Sequence, residues 1–136
     1  MPDINNLQYQ SDLTFGLSEE VKIKNILEEK FGELIQLDKY NPFDFENDNY
    51  LIELKSRRNA HNKYDTTMVN YSKLQKTNDT EKTRLIVFNF TDGIYIWIVE
   101  SDQYTLGRGG RNDRGIAEYH TMAYIDIENL KPLSEF

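Results

Sequence analysis

Apolar residues along this chain fall first into a helical spacing and then into strand spacings. In "LSEEVKIKNILEEKF", Ile23, Ile26, Leu27 and Phe31 form one stripe at three- and four-residue intervals. Ser18 suits the cap, Glu19 and Glu20 the first turn and Gly32 the end, so a helix is predicted here. The preceding residues 1–16 are polar and predict irregular structure. "ELIQLD" predicts a strand. "PFDFENDNYLIELKSRR", residues 42–58, follows it as two alternating runs about a turn-forming "NDN", which predicts a β-hairpin. "DTTMVNYSKLQK" predicts a second helix with Asp65 or Thr66 as cap. "TRLIVFNF" and "IYIWIVE" are the strongest strand patterns and flank Asp92-Gly93, a tight hairpin turn, with Trp97 and its aromatic neighbours in the core. "LGRGGRNDRG" predicts a basic, glycine-rich loop, "AEYHTMAYIDI" a late strand and "ENLKPL" a closing turn. Helix, three strands, helix and further strands make an α/β pattern.

The hairpin register follows from the alternation. Phe43 and Phe45 share one face of their strand, as do Tyr50, Ile52 and Leu54 of theirs. Matching apolar to apolar pairs Phe45 with Ile52 and Phe43 with Leu54, and a one-residue slip would mix the faces. Asp44 then lies opposite Glu53, on the side that also carries Leu51, Lys55 and Arg57. Like charges opposed across a strand pair repel, by on the order of 4 kcal/mol at 4 Å and an effective dielectric near 20. Lys55 offsets part of this, and a divalent cation offsets it better. The plainer reading of the same residues is a solvated polar face with the acids splayed apart. On such a face, truncating Lys55 would cost the fold little.

Composition sets bounds. The 136 residues suit one domain, 1–136, with a real core. There is no cysteine, hence neither a disulfide nor a thiolate metal site. No apolar run has membrane length and no signal-peptide pattern opens the chain, which points to an intracellular protein, in the cytoplasm or, if viral, that of the host. The net charge of -7 argues against a generic nucleic-acid coat, yet it is unevenly spread: -8 over residues 1–54, +5 over 55–84 and -4 over 85–136. The positive segment starts where the hairpin ends.

Asp44 of "FDF", eight residues and then "ELK" resembles the core of the PD-(D/E)XK nuclease superfamily, in which an acid on one strand precedes an acid-any-lysine triplet on the next. Asp44 matches the first acid, Glu53 the second and Lys55 the lysine. The helix, three strands, helix, strand order matches as well, over roughly residues 18–100, and "LIELKSRR" with "YDTTMVNYSKLQ" is similar to small phage and mobile-element members. One departure is that Phe43 separates Pro42 from Asp44. The resemblance implies a restriction-endonuclease-like domain, a central mixed sheet flanked by helices, and Mg²⁺- or Mn²⁺-dependent hydrolysis of DNA phosphodiesters. It implies that Asp44, Glu53 and the Leu54 carbonyl hold the metal and that Lys55 orients water or stabilises charge on the phosphate. It implies a further site residue on the second helix, Gln75 or else Lys73, and admits Glu20 as an extra ligand. Arg57, Arg58 and Lys63, with Lys73 and the loop residues Arg108, Arg111 and Arg114, would then meet DNA phosphates. His61 and His120 lack metal-ligand spacing and read as structural or surface residues. Substrate shape (junction, nick, flap, single strand or duplex) is open. The rival reading is an inactive nuclease-fold module for DNA binding or regulation. The acidic charge and short chain also leave room for a homodimer or a partner protein.

Overall fold

A computed structural model describes residues 19–111 and 118–136. The chain forms two compact units, Met1–Ile35 and Gln36–Phe136. In the first, α1 covers residues 19–31, with Ile23 and Leu27 of the predicted stripe buried. The helix ends at Gly32, whose φ of +89° is reached without strain by glycine, and its N–H donates to the Glu28 carbonyl at 2.9 Å.

The strands are β1 (Ile35–Gln36), β2 (Phe45–Glu46), β3 (Tyr50–Ser56), β4 (Thr66–Asn70), β5 (Thr83–Phe90), β6 (Gly93–Ile98), β7 (Thr105–Arg111), β8 (Glu118–Asp126) and β9 (Lys131–Pro132). Six form a sheet in the order β1-β2-β3-β5-β6-β9, and the other three a second sheet, β4-β8-β7. The first sheet is mixed: β3 pairs parallel with β5, while β2 with β3, and β5 with β6, are antiparallel. The α/β class and the mixed central sheet are those expected. The hairpin register is too, with Phe45 opposite Ile52.

Two predicted elements change. "DTTMVNYSKLQK" splits into β4 and a short α2 (Tyr71–Lys76), capped not by Asp65 or Thr66 but by Asn70, whose side chain accepts from the Ser72 N–H. Residues 66–70 pair along β8 from Thr66–Asp126 to Asn70–Met122, and this ladder overrides their helix-compatible pattern. Of the predicted glycine-rich loop, residues 106–111 belong to strand β7, and 112–115 lie outside the described residues. A Cβ at Gly107 would stand 2.6 Å from the Tyr124 ring, and one at Gly109 2.8 Å from the Tyr124 hydroxyl. Glycine here lets a β8 tyrosine lie close across β7 rather than breaking the strand.

The two sheets enclose the main core. Leu51, Ile86, Phe88, Phe90 and Trp97 of the first sheet cluster with Val69, Ala123 and Ile125 of the second and with Leu74 of α2. The face of β3 read as polar in the sequence is therefore an inner face. Leu51, Glu53 and Lys55 stand in register with Arg84, Ile86 and Phe88 of β5. The opposite face, with Phe45, Ile52, Leu85, Val87 and Ile96, is equally buried. β3 is thus enclosed on both sides, as a strand with a parallel neighbour in mid-sheet tends to be.

Candidate active site

Burial sets the chemistry of Glu53. Its side chain is 4 % exposed, among core residues, where an ionised carboxylate is costly without partners. One oxygen, Oε1, accepts from Lys73 Nζ at 3.1 Å and lies 3.3 Å from Lys55 Nζ. The other, Oε2, is buried and has no hydrogen-bond partner among the described residues. Burial pushes the Glu53 carboxyl above its ordinary range; the Asp44 charge adds to this, and both ammoniums oppose it. Burial also holds the Lys55 ammonium below its ordinary value, only partly offset by Glu53.

Asp44 stands just before β2, and the hairpin fixes it. Its N–H donates to the Ile52 carbonyl at 2.9 Å, and its Oδ2 accepts from the Leu54 N–H at 2.8 Å. A strand residue sends its N–H and C=O toward the same edge, so the Leu54 carbonyl also faces the Asp44 edge, away from the ladder with β5. Two carboxylates and one backbone carbonyl thus converge where β2 leaves β3. Lys73 arrives from α2. Asn70 starts that helix, and Arg84 secures its end by donating to the Leu74 carbonyl at 2.7 Å and to Thr77 Oγ1 at 3.0 Å.

Asp44, Glu53, Leu54 and Lys55 are therefore together, and Lys73 joins them. Gln75 does not: it is exposed on α2, while Lys73 supplies the helix contact to Glu53. The two lie about 200° apart on a helix, so only the packing of α2, with Leu74 in the core, decides that Lys73 faces Glu53. Glu20 lies half-buried in α1 of the other unit. Arg57 is half-buried, donating to the Met68 carbonyl at 2.9 Å with its guanidinium 5.7 Å from the Phe88 ring centroid, so it braces β3 against β4. Arg58, Lys63 and Arg108 are exposed. The side chain of Arg111, and Arg114 entirely, lie outside the described residues. His61 is not isolated, because its Nδ1 is 2.6 Å from Asp92 Oδ2 and its N–H donates to Asp92 Oδ1 at 2.9 Å. No pattern in the sequence links these two, 31 positions apart.

The orphaned Glu53 Oε2 beside a second carboxylate tests the fit of a divalent cation. A buried carboxylate oxygen without a donor is rare and calls for an explanation, and a cation supplies one. The described residues hold no cluster of three or more His, Asp or Glu able to bind a metal. That is compatible with Mg²⁺, which keeps waters and substrate phosphates as most of its ligands. Binding requires ionised Glu53, and protonation competes from a pH above the ordinary carboxylate range. Mn²⁺ affinity is accordingly expected to fall as pH drops from 8 toward 5. Glu53 itself contributes more stability to the metal-free fold over the same descent, because a raised carboxyl pKa contributes stability below the unfolded value, 4.5, that is lost as pH rises through the folded one. Asp44→Asn keeps an acceptor for the Leu54 N–H yet is expected to weaken Mn²⁺ binding at pH 8 by at least roughly tenfold. Calorimetric titration of both proteins checks this, and equal affinities would remove Asp44 from the site.

Among known proteins, the model of a family described as "Phage putative PDDEXK endonuclease" matches residues 14–133. No curated protein and no solved structure matches the chain. With Asp44 before β2, the Glu53-Leu54-Lys55 triplet on β3 and a family match running through nearly the whole chain, this protein belongs to the phage PDDEXK endonuclease family.

Proposed function

We propose that the protein is a Mg²⁺- or Mn²⁺-dependent endonuclease that hydrolyses DNA phosphodiester bonds at the Asp44–Glu53–Lys55 site. The observation carrying this reading is the buried Glu53 with one oxygen held by two ammoniums and the other unpartnered beside Asp44. Asp44, Glu53 and the Leu54 carbonyl would hold the cation. Bound there, a divalent ion supplies Lewis-acid polarisation of the scissile phosphate and a lowered pKa for attacking water. Lys55 favours the ionised form of Glu53 and reaches the substrate side, where its ammonium stabilises charge developing on the phosphate. Lys73 holds the same oxygen from α2, so the carboxylate stays oriented while Lys55 engages substrate. The direct test is incubation with branched, single-stranded and plasmid DNA in Mg²⁺, Mn²⁺ or EDTA. Cutting that needs the metal is expected, and intact DNA under every condition would overturn the reading.

Phosphate contacts are assigned to the exposed cations rather than to Arg57, whose guanidinium is committed to Met68 and Phe88. Arg58→Ala with Lys63→Ala is expected to weaken binding on all sequences. It should lower the steepness of log K against log salt by about one per lost phosphate contact, so about two for the pair. An unchanged slope would leave these residues as solvated surface.

A further inference from the structure

Next to Lys55 a cleft of about 470 Å³ opens between the inner face of the first sheet and the edge of the second. Four of its lining residues are Lys55, Arg57, His61 and His120. In a chain with 23 acidic side chains, none of the described aspartates and glutamates lines it. The cleft is thus a local reversal of the protein's charge, and Lys55 belongs to both cleft and site. The rest of the lining is largely apolar, with Phe90 and Met122 inside and Tyr64 at the rim. Tyr64 is 61 % exposed, far more than a large ring needs for packing, and Lys63 Nζ sits 5.5 Å from its ring centroid. An exposed ring with an ammonium beside it, at the mouth of a cationic and apolar groove, combines the two features that hold unpaired strands: a stacking surface for bases and a positive path for phosphates.

The exposed ring favours a single strand over a duplex, because a base must leave its own stack to lie on Tyr64. The volume is within the range that encloses a single small-molecule-sized unit such as a nucleotide. The His61 ring is also fixed for contact: it stacks on Tyr95 at 4.4 Å between centroids, and Asp92 engages its Nδ1, so Nε2 is the nitrogen left for a ligand. The hydrogen bond from His61 holds the Asp92 carboxyl below its usual range, keeping that anchor ionised.

We infer that this cleft seats an unpaired DNA strand next to the scissile phosphate, with Tyr64 stacking on a base and Lys55 and His61 facing successive parts of the backbone. The inference rests on the endonuclease reading and narrows its substrate to DNA with a single-stranded element, such as a flap.

Fluorescence anisotropy in EDTA, with labelled oligothymidylate and a duplex of equal length, reads binding without cleavage. Wild type is expected to bind the single strand more tightly than the duplex. Tyr64→Ala should weaken single-strand binding on the order of tenfold, with Tyr64→Phe restoring it and duplex binding unmoved. Tyr64 is exposed, so thermal melting of the variants should match wild type. Single-strand affinity unchanged in Tyr64→Ala, equal losses on both probes, or a wild-type preference for duplex each overturns the assignment. A wild type that cuts DNA without Tyr64-dependent strand binding overturns the cleft and leaves the endonuclease reading standing. One that binds the strand through Tyr64 yet cuts nothing does the reverse.

Discussion

Glu53→Gln is expected to lower DNA cleavage by on the order of a thousandfold or more while leaving the protein folded. Glutamine has the shape of glutamate and can still accept from Lys55 and Lys73, but it brings no charge for a cation at the position of Oε2. The loss falls on the chemical step, where metal chemistry contributes several kcal/mol. Removing one partner of a fully buried ion pair costs roughly 3–5 kcal/mol, but that figure does not transfer. The Lys55 and Lys73 side chains are 26 % and 33 % exposed, so both ammoniums reach water once the carboxylate is gone. The substitution also removes a charge that burial opposes. Stability should therefore change by no more than about 2 kcal/mol, read from chemical denaturation. Single-turnover cleavage on the same preparation completes the test. A Glu53→Gln enzyme that cuts within about tenfold of wild type, less than one lost electrostatic contact should cost, would place the metal elsewhere.

The parts of this site legible in the sequence are those fixed by near neighbours. Phe43 and Phe45 alternate against Tyr50, Ile52 and Leu54 across a short turn, so the register that puts Asp44 beside the triplet follows from the alternation alone. The environment of that triplet does not. Leu51, Glu53 and Lys55 read as a solvated face because four of the five side chains on it, Asp44, Glu53, Lys55 and Arg57, are charged. The layer that buries them comes from β4, α2 and β8, up to about 70 residues further along the chain. Reading β4 as helix hides that layer, since Val69 belongs to the inter-sheet core only in a strand paired with β8. The choice on α2 between Gln75 and Lys73 stays open because the face of that helix packed on the core has no local trace. With Asn70 as the cap, Leu74 turns into the core and Lys73 reaches Glu53. The glycines of β7 mislead for another reason. Their absent side chains serve Tyr124 of β8, a contact with no local trace in the sequence.

Lys55→Ala is expected to slow cleavage roughly a hundredfold to a thousandfold, the usual cost of losing one group that stabilises transition-state charge. Unlike a change on a solvated face, it should also cost stability, about 1–3 kcal/mol, because it removes one of two donors from a buried carboxylate oxygen. Its effect on Mn²⁺ binding has two opposing parts. Loss of the ammonium raises the Glu53 pKa further, and it removes a cation that competes with the metal for the same carboxylate. At a pH high enough to ionise Glu53 in both proteins only the second part remains, so affinity there should hold or rise. Lys73→Ala is the decisive comparison, since it removes an ammonium from the same oxygen at nearly the same distance, 3.1 Å against 3.3 Å. If the lysines only balance Glu53, the two variants lose rate alike. If Lys55 stabilises the phosphate, Lys55→Ala loses far more rate for a similar loss of stability, as expected from its place on the cleft wall, where Lys73 is not. Equal rates for the two variants would reduce the triplet lysine to charge balance, and near-wild-type cleavage by Lys55→Ala would remove it from the reaction altogether.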